Sequence, residues 1–273
     1  MKTILITGCS SGIGYDTAHY LHNNGYKVFA SARKAEDVKR LQEEGLETYY
    51  LDVTKPESIK KTLETILKKT DGKLYAVFNN AGYGQPGAVE DIPTEVLKEQ
   101  FETNLFGLHE MTRQVMPIMR AQGYGRIIQH SSVLGIVSLR FRGAYNATKY
   151  AIEGLCDTLR LELANDDIYV ATINTGPVHS DFRVNATKKF YEHIYNRPTV
   201  FEKEYEKELI PYQENKEKDP FTRDSDVVIK NIVHALESKR PKPRYYNTSA
   251  TYLLGTLKRL LSTNLLDKIL VKI

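Results

Sequence analysis

Ile4-Leu5-Ile6-Thr7-Gly8-Cys9-Ser10-Ser11-Gly12-Ile13-Gly14 lies close to the start of the chain and decides how the rest is read. The apolar run Ile4 to Ile6 suits a short strand buried on both faces. A glycine-rich segment follows at once, and a helical pattern then continues to Asn24. Strand, glycine loop and helix in this order make a dinucleotide phosphate site. The glycines let backbone approach a ligand, and the first N–H groups of a helix have no partner of their own to offer but an anion. Gly8, Ser10, Ser11, Gly12, Ile13 and Gly14 are therefore expected to cradle a cofactor.

Outward from that stretch, strands and helices alternate. Lys27 to Ser31 reads as a strand closed by Ala32-Arg33, and Glu36 to Glu44 as a helix. Leu46 to Leu51 is a strand ended by Asp52-Val53, and Ser58 to Lys69 a helix. Leu74 to Phe78 is a strand running into Asn79-Asn80-Ala81-Gly82, and Glu95 to Arg120 is a long helical pattern. Gly125 to His130 leads to Ser131-Ser132, Ala144 to Leu163 is helical, and Ile168 to Asn174 runs into Thr175-Gly176-Pro177-Val178-His179-Ser180. Asp226 to Ser238 reads as helix and Pro241 to Tyr246 as a last short strand or extension. The alternation predicts α/β architecture, a doubly wound parallel sheet with helices on both faces. Ligands bind such sheets beyond the carboxyl ends of the strands. The glycine loop, Asn80, Ser132 and the segment after Asn174 all fall on that edge.

Four features of the chain bear on its chemistry. Proteins that bind NAD usually place an acid at the end of the second strand to hold the ribose hydroxyls. This chain offers Ser31, Arg33 and Lys34 instead, a hydroxyl and two cations suited to a 2′-phosphate. Tyr145 and Lys149 are four residues apart in a helix and so share a face. A nearby ammonium lowers the pKa of a phenol and makes it usable as an acid or base near neutrality. Asp52 suits either a turn, since Thr54 and Pro56 follow, or a contact to adenine. Asn104 is unfavourable in the middle of a helix and implies a specific role there.

The chain has 273 residues, 41% hydrophobic and 26% charged, which suits one globular domain spanning 1–273. Two cysteines far apart, Cys9 and Cys156, make no disulfide framework and point to a reducing compartment. The opening apolar run stops at Ile6, too short for a signal segment, and no run is long enough to span a membrane. A cytoplasmic protein without metal is expected. Residues 181–223 are rich in Phe182, Phe190, Tyr191, Tyr195, Phe201, Tyr205, Tyr212 and Phe221, and read as a partly helical lid over a substrate. Residues 239–273 carry a net charge of +7 within a chain whose total is +4. Their leucines, Leu253, Leu254, Leu257, Leu260, Leu261, Leu265, Leu266 and Leu270, are spaced for an amphipathic helix. That tail, 247–273, could cover the core, meet a second subunit or lie on a membrane surface. It is expected to pack on protein, with no nucleic acid bound and no stable membrane insertion.

In sum of its motifs the chain resembles the short-chain dehydrogenase/reductase family. The matching residues are Thr7-Gly8 with Gly12 and Gly14, Asp52-Val53, Asn79-Asn80-Ala81-Gly82, Asn104, Ser132, Tyr145 with Lys149, and Gly176-Pro177. They stand in family order over residues 1 to about 180. Over its whole length the chain is similar to bacterial NADP-dependent aldehyde reductases, and is related to 17β-hydroxysteroid and retinol dehydrogenases. The resemblance implies a Rossmann fold and an NADP(H)-dependent oxidoreductase, reducing aldehydes or ketones with apolar substituents. A hydroxysteroid- or retinol-type dehydrogenase and a non-catalytic NADP-binding regulator are the alternatives. It implies that Tyr145 is the general acid and that Lys149 lowers its pKa and holds the nicotinamide ribose. Ser132, chosen over Ser131 by its spacing from Tyr145, would bind the carbonyl oxygen, and Asn104 would hold a water for proton relay. Val53, Ala81, Gly82, Pro177, Val178 and Ser180 join the cofactor set by the same resemblance. A homodimer or homotetramer packed through the helices near 95–120 and 144–164 is implied. Thr175, where proline is usual before Gly-Pro, and Ser180, often threonine, depart from the pattern.

Overall fold

The computed structural model describes residues 1–213 and 221–273, with the side chains of 212 and 213 also outside the description. The elements alternate as the sequence implies. β1 (Thr3–Ile6), α1 (Gly12–Asn23), β2 (Lys27–Ala32), α2 (Ala35–Glu43), β3 (Glu47–Tyr50), α3 (Pro56–Lys69) and β4 (Ala76–Asn79) form the first half. α4 (Thr94–Phe101) and α5 (Gly107–Gln122) follow, then β5 (Gly125–Ser132), α6 (Gly143–Glu162) and β6 (Ile168–Thr175). The last part holds α7 (Phe182–His193), α8 (Glu202–Glu204), α9 (Ile210–Gln213), α10 (Asp226–Glu237), β7 (Arg244–Tyr246), α11 (Ser249–Leu260) and α12 (Thr263–Leu270).

Seven strands form one sheet in the order β3-β2-β1-β4-β5-β6-β7, every described pair parallel. Side-chain alternation along each strand divides the core in two. Ile4, Ile6, Ala30, Phe78, Ile128 and Ile173 pack with Leu21 of α1 and Ile232 of α10 on one face. Leu5, Phe29, Val77, Ile127 and Val170 pack with Ile66 of α3, Met111 of α5 and Ile152 of α6 on the other. Near-continuous apolar strands are what a sheet covered on both faces requires. Order reverses between β1 and β4, so β1 and β4 flank the crevice where ligands bind in such sheets.

The long helical pattern is interrupted where Asn104 lies. Glu102–Phe106 forms a π-turn between α4 and α5, and Asn104 is buried in it. π-turns inside helices are frequent at functional sites.

The segment expected to form a lid is more helical than the sequence suggests. Phe190 and Tyr205 pack with Phe141, Ile194 and Leu209 in a small core of its own. Tyr205 Oη donates to Asp91 Oδ2 and accepts from the Ala88 N–H at 2.7 Å, which ties this segment to the loop after β4. The expected lid aromatic Tyr212 has its side chain outside the described residues, and residues 214–220 lie outside them altogether. The tail folds as α11 and α12, burying Leu254, Leu266 and Leu270 against Val133 and Val137 beyond β5. Among the described residues no helix is long and apolar enough to cross a membrane.

Candidate active site

The carboxyl edge of the sheet gathers the expected residues. Cys9 N–H donates to the Ser31 carbonyl at 2.8 Å, turning the chain out of β1. Gly8 follows a left-handed path at φ 72, and a Cβ there would stand 2.8 Å from Ala81 Cα. A Cβ on Gly14 would stand 2.4 Å from both Asn80 Nδ2 and the Gly8 carbonyl oxygen. These two glycines are required by close approach of the β4 loop, not by turn geometry alone. Thr7 Oγ1 accepts from the N–H groups of Asn80 and Ala81 at 2.9 and 3.0 Å. Asn80 Nδ2 returns bonds to the Thr7 and Gly8 carbonyls, both at 3.0 Å. The two loops are thus one unit.

The start of α1 fits a pyrophosphate. Ser11 caps it in extended conformation without a side-chain hydrogen bond, and its first turn holds no acid. The free N–H groups and the positive end of the helix dipole suit an anion. The end of β2 agrees in part with the expectation. Arg33 is exposed and no carboxylate neighbours it in β2. Ser31 corrects the reading. Its hydroxyl is buried and donates to the Ile6 carbonyl at 3.0 Å, because the alternation of β2 puts it on the Phe29 face. Arg40, which the sequence did not single out, donates to the Ser10 carbonyl at 2.6 Å and so supports the glycine loop from α2. Asp52 acts in a turn: its Oδ1 accepts from Thr54 N–H and hydroxyl at 3.0 and 2.8 Å.

Tyr145 and Lys149 stand on one face of α6, with the Lys149 ammonium 5.3 Å from the centre of the Tyr145 ring. Burial pushes the Tyr145 phenol well above its ordinary value, and a hydrogen bond with Ser132 opposes this. The expected lowering by Lys149 is not found in this arrangement. The ammonium points instead to the His130 carbonyl, which it meets at 2.5 Å. Burial also lowers Lys149 itself to about 8, with Glu153 pulling the other way. Ser132 is the serine on the Tyr145 side, while Ser131 is fully buried. The Ser132 hydroxyl accepts from Leu134 N–H at 3.1 Å and donates to the Thr175 carbonyl at 3.3 Å.

Asn104 is spent on protein. Its Oδ1 accepts from Tyr83 N–H at 3.0 Å, and its Nδ2 donates to the Tyr83 carbonyl at 2.8 Å and to Thr148 at 3.4 Å. It ties the β4 loop to the helix of Tyr145. Phe182, at the start of α7, stands beside the site, its ring 5.3 Å from that of Tyr145. Phe141, shortly before α6, adopts φ 58, a conformation unusual for a bulky residue, and is held there by edge contacts from Phe201 and Tyr205.

The sequence model of the family described as short chain dehydrogenase matches residues 2–190. The chain belongs to the short-chain dehydrogenase family. This dehydrogenase is 37% identical over 269 residues to the uncharacterized oxidoreductase YbbO of Escherichia coli K12, covering 98% of this chain and 94% of YbbO. It is 31% identical to estradiol 17-beta-dehydrogenase 2 of Mus musculus, covering 99% of this chain and 74% of the relative. A solved short-chain dehydrogenase from Streptomyces avermitilis superposes with a TM-score of 0.80 at 26% identity, covering 98% and 93% of the two chains. Short-chain dehydrogenases are nicotinamide-dependent oxidoreductases, and the uncapped, acid-free start of α1 fits that cofactor's pyrophosphate. Ser180 of this dehydrogenase lies over the glycine loop: a Cβ on Gly12 would stand 3.1 Å from Ser180 Cβ.

Proposed function

We propose that the enzyme moves a hydride between NADP(H) and the carbonyl carbon of aldehydes or ketones with apolar substituents. The observation that carries this reading is Ser132, Tyr145 and Lys149 meeting beneath Phe182. The nicotinamide, when bound, supplies the hydride. The chain supplies the proton and the setting. Tyr145 keeps its proton across the neutral range and can give it to a carbonyl oxygen as negative charge develops there. Ser132 offers the second hydrogen bond to that charge. Lys149 is mostly an ammonium at pH 7, held by the His130 carbonyl on the same helix face as Tyr145. Phe182 and the aromatic lid give the entrance an apolar side, which suits apolar substituents.

Arg33, exposed at the end of β2 without a neighbouring carboxylate in that strand, supports NADP over NAD. The π-turn between α4 and α5 exposes Phe106 and α6 exposes Leu155 and Leu161, which supports a homodimer or homotetramer packed there. A cytoplasmic location accords with two buried, unpaired cysteines. A hydroxysteroid- or retinol-type dehydrogenase is the second reading, supported by likeness to estradiol 17-beta-dehydrogenase 2 over almost the whole chain. The test is a panel of aldehydes, ketones, steroids and retinoids with NADPH and NADH. Turnover of small apolar carbonyls with NADPH supports the first reading. Turnover confined to steroids or retinoids supports the second. Cofactor binding with no turnover on any substrate would overturn both in favour of a binding protein.

A further inference from the structure

His130 has a place in neither the motif set nor the proton chemistry, yet it touches both halves of the site. It is the last residue of β5 before the two serines. Its ring is bonded at both nitrogens: Nδ1 lies 2.9 Å from Asn80 Oδ1, and Nε2 lies 3.1 Å from Thr175 Oγ1. Its backbone carbonyl is the acceptor for the Lys149 ammonium.

The direction of these bonds is determined. Asn80 uses its amide N–H groups on the Thr7 and Gly8 carbonyls, so its Oδ1 faces His130 as an acceptor. His130 Nδ1 must then carry the proton. Nε2 is left as an acceptor, and the Thr175 hydroxyl must donate to it. Thr175 Oγ1 in turn accepts from Asn247 Nδ2 at 3.5 Å, and Asn247 Oδ1 accepts from Asn231 Nδ2 at 2.6 Å. Every donor points the same way, from α10 through β6 and β5 to the glycine loop. Such an arrangement allows one proton placement only, which makes it rigid.

We infer that His130 and Thr175 are a positioning pair: the neutral imidazole, fixed by the Thr175 hydroxyl, sets the Asn80 amide that shapes the cofactor cradle. Thr175 is the position at which the family pattern leads one to expect proline, which has no hydroxyl to give. The departure and the histidine explain each other. Neither residue touches the reacting atoms. The inference rests on the cofactor reading above, and its test separates the two.

The experiment compares the unmodified protein with Thr175→Val and Thr175→Ser. Valine keeps the shape of threonine and removes the donor. NADPH and NADH affinities are measured by nucleotide fluorescence, thermal unfolding is followed, and the imidazole 15N shifts of His130 are recorded without cofactor. The cofactor Kd should rise about fivefold in Thr175→Val, the worth of one ordinary hydrogen bond. The rate at saturating cofactor should stay within about twofold, and Thr175→Ser should restore the Kd. The unmodified protein should show an Nδ1–H imidazole. An Nε2–H imidazole would overturn the pair. So would a lowered melting temperature with unchanged Kd, which is a purely structural effect, or a weaker Kd that serine does not restore. An unmodified protein that bound neither dinucleotide would remove the cofactor reading itself, and the pair's role with it.

Discussion

The Lys149 ammonium donates to the backbone carbonyl of His130 at 2.5 Å, bridging α6 to the end of β5 across the mouth of the site. The bond orients the ammonium but does not relieve its burial, which holds Lys149 down at about 8. Glu153, one turn further along α6, opposes this most strongly and raises it.

A pH dependence follows with a definite sign. Lys149 is charged below about 8 and neutral above, so the free enzyme loses its ammonium as pH rises through that value. The kcat/KM for the cofactor reports groups of the free enzyme. It should fall on the alkaline side with a limb near 8. Glu153→Gln removes the charge that favours the ammonium and should move that limb to lower pH. A limb that stays in place in this variant would show that another group sets it.

Tyr145→Phe keeps the ring and removes the proton. General acid catalysis contributes about 10²–10⁴ in rate. Turnover should fall by at least about a hundredfold, while cofactor binding by fluorescence titration stays within a few-fold. Near-normal turnover would remove Tyr145 from the chemistry.

The parts of this site that could be read in the sequence are those encoded locally. Thr7, Gly8, Gly12 and Gly14 follow one strand in one loop, and Tyr145 and Lys149 share a helical turn, so spacing alone brings them together. Ser31 stands at the strand end, where a cofactor contact is expected, but it shares the inward face with Phe29 and its hydroxyl meets the Ile6 carbonyl. His130 was illegible because its partner Thr175 is on another strand, set beside it by the β5–β6 register. Phe182 and Arg40 reach the site through tertiary packing that no spacing encodes. Asn104 was flagged by its propensity, but only the π-turn shows that it clamps Tyr83.

Tyr205→Phe tests the lid. The substitution leaves the buried Ala88 N–H without its acceptor and the Asp91 carboxylate with one donor fewer. An unsatisfied buried group costs about 1–3 kcal/mol. The melting temperature should fall by a few degrees, and KM for the carbonyl should rise more than KM for the cofactor. Equal changes in both would show that the lid does not belong to the substrate side.

Truncation after Ser249 removes α11 and α12. Leu254, Leu266 and Leu270 lose their packing on Val133 and Val137, next to Ser132. Each buried leucine is worth about 1.5–3 kcal/mol. Melting should drop by about 5 °C or more, or the oligomer should change size in gel filtration without detergent. An unchanged melt, together with sedimentation of the intact protein on anionic vesicles, would instead assign the tail to a lipid surface.

Cofactor choice is expected to turn on Arg33. A carboxylate at this position would accept hydrogen bonds from a ribose 2′-hydroxyl and repel a 2′-phosphate. Arg33 presents a planar fork that can meet a phosphate with two hydrogen bonds. Bonds to charged groups are worth about 1.5–3 kcal/mol, or about one to two decades in affinity. NADPH should therefore exceed NADH in kcat/KM by at least about tenfold. Ala32 is 2% exposed, so a carboxylate belongs at 33 rather than 32 if folding is to be kept. Arg33→Ala should erode the preference and Arg33→Asp should reverse it, with the rate at saturating NADH little changed because Tyr145 is untouched. Equal use of both cofactors by the unmodified enzyme, at one carbonyl concentration, would reduce Arg33 to a solvated surface charge.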